Sequence, residues 1–188
     1  MRKGPSLSYD TPDPDASGYE NLDEYYVFFG GLNRYDFKLL GKREMVVPYN
    51  NNRFYTRPVS EVAGPLHANP DDLRYELHRV WVLEGKCRAG QDCGWPRRTL
   101  YLDEDSWQAL ISDRYDGRGT LWRTGMAMAV QIPDVPVMLA DGYVLMDLYQ
   151  HRYIVQGMHN EEKPPRYGDT SIGPKDYTAE ALRRFGRR

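Results

Sequence analysis

From Asp72 to His159, apolar and polar residues alternate with a period of two, and turn chemistry breaks the alternation every ten or so positions. No helical period runs inside this stretch, so it predicts a β-meander. The expected strands are Leu73–Lys86, Arg97–Asp103, Ser106–Tyr115, Thr120–Ile132, Gly142–Tyr149 and Arg152–Met158. Between them lie Cys87–Trp95, Glu104-Asp105, Asp116–Gly119, Pro133–Pro136 and Gln150-His151. Upstream, Tyr35–Leu40 and Arg43–Val47 read as two further strands around Gly41-Lys42, and Pro48–Pro70 reads as a long irregular connection. The chain closes with a short helix from Ala179 to about Phe185, capped by Thr178, with Glu180 in its first turn and Arg183-Arg184 in its last. The expectation is an extended arm at 1–20, a curved antiparallel β-sheet domain at 21–160 and a polar tail with a helix at 161–188.

A chain of 188 residues with 40% hydrophobic and 28% charged residues fits one globular domain that buries roughly two-thirds of its unfolded surface. Its formal net charge of -2 offers no general attraction to phosphate backbones, and its basic cluster, Arg183, Arg184, Arg187 and Arg188, is confined to the C-terminus, so nucleic acid is not an expected partner. No window approaches the ~18 consecutive apolar residues of a membrane span. Any export signal would lie upstream of Met1. Fifteen tyrosines against five phenylalanines suit strands that are half exposed or line a damp cavity.

Cys87 and Cys93 bracket a five-residue loop between two adjacent strands. A disulfide fits that geometry and an oxidising compartment, and two free thiols are the competing reading. The four histidines, at positions 67, 78, 151 and 159, are too scattered to predict a metal site. No cofactor is expected, since phosphate-loop, dinucleotide and nucleophile-elbow motifs are all absent from the sequence.

Several blocks in fixed order carry a resemblance. They are Arg34-Tyr35-Asp36, Gly41–Met45, Val47–Asn51, Leu73–Val82, Tyr101–Trp107, Asp113–Asp116, Gly119–Arg123 and the closing Leu182–Arg188. Together they resemble the Gram-negative domain-of-unknown-function family DUF1329, labelled outer-membrane lipoprotein-sorting-protein-like, from about Tyr25 onward. The resemblance implies a mainly β fold similar to the periplasmic lipoprotein carriers and receptors (LolA/LolB-like), a strongly curved antiparallel meander forming an incomplete β-barrel. It also implies a longer protein that is exported, periplasmic or associated with the outer membrane. The resemblance further implies a role in handling hydrophobic, lipid-like molecules, with an outer-membrane protein or a resistance-nodulation-division (RND-type) exporter, often encoded beside such proteins, as the expected partner. Because this chain corresponds to the C-terminal half, an uncovered concave face and two raw sheet edges are expected. A second chain, another copy, or the arm and tail would then cover them.

Two constellations remain. Along the expected Thr120–Ile132 strand, Trp122, Met126, Met128 and Val130 would share one face; with Trp107 they are the candidate hydrophobic ligand lining, and ordinary core is the competing reading. Arg74, Glu76, His78, Arg79 and Asp113 form a candidate polar cluster, either a head-group or partner site or a cross-strand ladder of charges on a solvated face. An acid–base set built on His78 with Glu76 or Asp113, or on Asp103–Asp105, is set aside because Asp103 to Ser106 reads as a tight turn using its side chains for backbone hydrogen bonds. The expected function is therefore non-enzymatic: carriage of a lipid-like ligand, or assembly of an envelope complex without cargo.

Overall fold

The computed structural model describes residues 8–14, 16–163, 165–168, 171 and 173–186. Arg187, Arg188 and the first seven residues of the expected arm lie outside them. The described chain is mainly β. Seven strands form one antiparallel sheet in the order β1 (Tyr35–Pro48), β2 (Tyr75–Cys87), β3 (Arg97–Asp103), β4 (Ala109–Tyr115), β5 (Leu121–Ala127), β8 (Tyr143–Asp147) and β9 (Arg152–Gln156). A separate hairpin, β6 (Val130–Ile132) with β7 (Val137–Leu139), leaves the sheet between β5 and β8. The sheet does not close: β1 and β9 are its two ends. Three short α-helices complete the picture, α1 (Asn52–Thr56), α2 (Val59–Val62) and the C-terminal α3 (Ala179–Phe185), whose first turn is capped by the Thr178 side chain accepting from the Ala181 amide at 3.1 Å.

Three sequence expectations change. The two strands expected around Gly41 are one strand, β1, which pairs along its length with β2 and absorbs an irregularity between Leu39 and Gly41. Gly41 has φ of 121°, which a side chain would resist, so glycine there makes a bulge and not a reversal. The expected Thr120–Ile132 strand breaks after Ala127, where the chain leaves to build the β6–β7 hairpin. The Pro48–Pro70 connection carries α1 and α2, and their Phe54 and Val62 are fully buried against Ala68, Met128 and Val144.

These helices also answer the expected uncovered face. Val47, Val80, Val82, Tyr101 and Ile111 from the first four strands cluster with Tyr49 and Ala129, so the sheet curls toward that side. Neighbouring positions on β8 and β9, Val144 and Val155, take α1 and α2 as their cover. The cover therefore comes from the connection after β1 and from the excursion between β5 and β8, whose Ala129 and Met138 pack on the first cluster.

On the opposite side, one row of directly paired residues crosses the sheet: Phe37, Gly85, Arg98, Arg114, Arg123, Asp147 and Arg152. Three adjacent arginines would repel one another if left alone. A 3-10 turn at Leu22–Val27 lays acids over them. Asp23 takes Arg98 through two hydrogen bonds, both side chains fully buried. Glu24 reaches Arg114 at 3.5 Å and Arg123 at 2.8 Å, Asp147 takes Arg123 at 3.0 Å, and the Arg114 guanidinium donates to the Val27 carbonyl at 2.8 Å. Burial pulls the Arg114 guanidinium below its ordinary value while Glu24 opposes that pull. Gly85 leaves the room this requires, since a Cβ there would stand 2.8 Å from the Phe37 ring and 3.3 Å from Arg98.

Glu20 anchors the start of this cover. Its buried carboxylate accepts from the Tyr143 hydroxyl at 2.9 Å and the Gln156 amide at 2.9 Å, yet burial prevails and pushes its pKa from 4.5 up to about 7. The folded chain thus holds this proton more tightly than the unfolded chain does. The associated stabilisation is complete below about pH 4.5 and is lost as pH rises to about 7. Glu20→Gln is expected to flatten that segment of the stability profile, which thermal melts between pH 4.5 and 7.5 would register. An unchanged slope would mean that Glu20 does not titrate in that window.

Candidate functional site

A cleft lies where α1, the β6–β7 hairpin and residues 159–162 with Pro165 and Tyr167 meet, with a volume of about 580 Å³, within the size range of small-molecule sites. Its walls are fixed by a few side chains. The Tyr55 hydroxyl donates to the Met128 carbonyl at 2.8 Å and accepts from the Gly142 amide at 2.8 Å, tying α1 to both feet of the hairpin. Those feet are also joined by Met128 N–H to the Gly142 carbonyl at 2.7 Å. The Asn160 amide caps the end of α1 by donating to the carbonyls of Phe54 and Arg57, which brings the last wall in. Val130, Ile132, Pro133, Leu139 and Pro165 supply the apolar surface.

Of the five candidate lining residues, Val130 lines this cleft. Met128 is fully buried beside Phe54, and Met126 is packed between the two apolar clusters as core. Trp122 does not share their face. It falls where the β4–β5 register slips between Arg114 and Tyr115, and it turns to the arginine side. There it stacks on Tyr149 at 5.7 Å, meets Trp95 edge-on at 5.1 Å and donates to Asp147 at 3.2 Å. Trp107 sits at a turn with φ of 61°, two-thirds exposed and stacked on Trp81.

The candidate polar cluster divides in the same way. Arg74, Glu76 and His78 meet, with Arg74 to Glu76 at 2.9 Å and His78 to Glu76 at 3.6 Å, and the Asn50 amide also donates to Glu76. Arg79 points to the other face and pairs with Glu104 at 2.9 Å, while Asp113 accepts the Tyr101 hydroxyl at 3.1 Å. The stronger partner of His78 is Asp103, at 2.9 Å. Asp103 is fully buried; burial works to raise its pKa, but the Ser106 hydroxyl and amide and the His78 ring hold it below the usual carboxylate range. Ser106 bonds to this carboxylate and not to the imidazole, so the trio closes a turn and leaves no nucleophile–base contact. His78, Asp103 and Asp105 bring three ligand-type atoms within 4.8 Å, but the Asp103 carboxylate is already committed to these bonds.

The expected disulfide is present: Cys87 and Cys93 are joined, with Cα atoms 6.0 Å apart. No helix among the described residues is long and apolar enough to cross a membrane. The arginine row and its acids were missed in the sequence, as was the cleft. Arginines 98, 114 and 123 inside apolar strands were the available signal for the first, and the paired prolines flanking 133–136 and 164–165 the only one for the second.

A family model described as "Protein of unknown function (DUF1329)" matches residues 1–183. The uncharacterized protein PA3922 of Pseudomonas aeruginosa is 41% identical over 188 residues, covering 99% of this chain and 41% of that protein. A Vibrio parahaemolyticus crystal structure, described provisionally as an outer membrane lipoprotein-sorting protein domain, aligns over 94% of this chain and 59% of its own, with a TM-score of 0.50 and 14% identity, a likeness of fold. A DUF1329 family protein from Desulfovibrio piger aligns over 81% of this chain and 50% of its own, with a TM-score of 0.42 and 13% identity. The chain thus spans roughly half the length of the relatives it matches.

Proposed function

The chain belongs to the DUF1329 family, and from that premise we propose that it is a non-enzymatic protein of the cell envelope that binds or shuttles a hydrophobic, lipid-like ligand. The observation that carries this reading is the cleft of about 580 Å³ between α1, the β6–β7 hairpin and residues 159–162 with Pro165 and Tyr167, whose apolar walls are held by the Tyr55 and Asn160 hydrogen bonds. The family resemblance and the provisional description of the Vibrio domain support the same reading, as does the disulfide, which suits an oxidising compartment such as the periplasm. Retention follows from burial: each square ångström of apolar ligand surface removed from water contributes about 25 cal/mol. Release requires a partner that favours an opened cleft, such as an outer-membrane protein or an RND-type exporter.

A second reading, an assembly component without cargo, has its own observation. The outer edge of β1 is unpaired among the described residues, and Leu39 and Val46 on β1, with Leu77 opposite Val46 on β2, are all more than half exposed. That surface suits a second chain or copy that extends the sheet. Native mass spectrometry of the chain after mild extraction separates the two. A bound lipid-sized mass is expected; a ligand-free chain in stoichiometric complex with another protein would overturn carriage in favour of assembly.

A further inference from the structure

We propose that the cleft discriminates by charge among hydrophobic molecules, taking those whose polar end is neutral or cationic and turning away carboxylate and phosphate heads. This rests on the reading of the cleft as the ligand site and says what that site admits. The ionisable residues on its walls are Asp134, Asp141, Glu162, His159 and two tyrosines, and among the described residues no lysine or arginine lines it. His159 does not offset the three carboxylates for an incoming anion, because its ring already faces Glu162 at 3.5 Å. Lys163 and Arg166 are close in sequence but not on the walls, and Arg166 has an interaction of its own.

The field inside the cleft has the same sign. Burial raises the hydroxyl pKa of both Tyr55 and Tyr167, and the negative charge of Asp141 adds to the rise in each. Asp141 therefore acts on both walls. An anion entering would meet that field in a space partly screened from water, where charge interactions are several times stronger than in bulk solvent. An alcohol meets no such opposition and finds acceptors and donors in Asn52, Gln131 and the carboxylates, whereas an ammonium gains the carboxylates and the tyrosine faces.

The test uses the full chain and three probes that share one alkyl chain: dodecylamine, 1-dodecanol and laurate, titrated calorimetrically at pH 7 below their aggregation limits. Dodecylamine and dodecanol are expected to bind about tenfold or more tightly than laurate. The amine-to-laurate ratio should fall at high salt, where screening weakens the field. Asp141→Asn should lower that ratio as well, and the salt series on the unsubstituted chain provides the same information if that variant does not fold. Laurate binding equal to or tighter than the amine, or a ratio indifferent to salt, overturns the charge selection while leaving the cleft as a ligand site. Failure of all three probes to bind removes both the selection and the site.

Discussion

Asp23→Ala is expected to destabilise the chain by about 3–5 kcal/mol, the cost of leaving one partner of a buried ion pair without the other. Asp23 and Arg98 are both fully buried and joined by two hydrogen bonds, and Arg98 already has Arg114 as its cross-strand neighbour. Removing the carboxylate leaves two adjacent guanidinium groups in a dry site with only Glu24 between them and Arg123. For a chain of this size, each kcal/mol moves the melting midpoint by about 2–4 °C, so a fall of roughly 10 °C should be seen, with a matching shift of the urea midpoint. The double replacement Asp23→Leu with Arg98→Met should recover most of the loss, because two well-packed apolar side chains replace the pair without stranding a charge. A single-variant loss below about 1 kcal/mol would mean that the 3-10 turn at 22–27 does not stay on the sheet in solution.

Phe54→Ala should cost a similar amount, about 3–5 kcal/mol, and should also weaken ligand binding. A helix of five residues has no stability of its own, so α1 exists because its anchors hold it. Phe54 is the main anchor, fully buried among Val62, Ala68, Met128 and Val144, with its ring against Gly142, where an added Cβ would come within 2.5 Å. Losing it frees one wall of the cleft. Tyr55→Phe is the informative companion: it keeps the ring but strands the Gly142 amide and the Met128 carbonyl, for a cost of about 1–3 kcal/mol. Urea denaturation together with dodecanol titration measures both effects. A Phe54→Ala chain that keeps full dodecanol affinity would show that α1 is not a wall of the binding site.

What the sequence displays, and what it conceals, follow from the range of the interactions. Strands β3, β4, β8 and β9 were visible because alternation is a local pattern, and α3 because Thr178 and Arg183-Arg184 mark its two ends. The single β1 was not visible, because Gly41 signals a turn and a bulge alike, and only a continuous partner such as β2 decides between them. Trp122 was put on the wrong face because period-two counting has no way to register the slipped residue opposite Tyr115. Helices α1 and α2, of five and four residues, are too short to express a helical period. The arginine row lies furthest out of reach. Asp23 is 75 residues from Arg98 and Glu24 is 99 from Arg123, so the acids that make those arginines interior residues stand in a different part of the chain.

The β6–β7 hairpin hangs from a ladder that is already closed beneath it, since Ala127 pairs with Tyr143 and Met128 with Gly142 at its root. Insertions or deletions at its tip would reshape the mouth of the cleft without displacing any rung of the seven-stranded sheet, and doubling the length of such a loop costs only about 0.6 kcal/mol in closure entropy. The tip of the excursion is thus free to vary, whereas its root, with Met128 and Ala129 fully buried, belongs to the core. Varying only the residues between Ile132 and Val137 would alter the mouth of the proposed site while leaving the buried root in place.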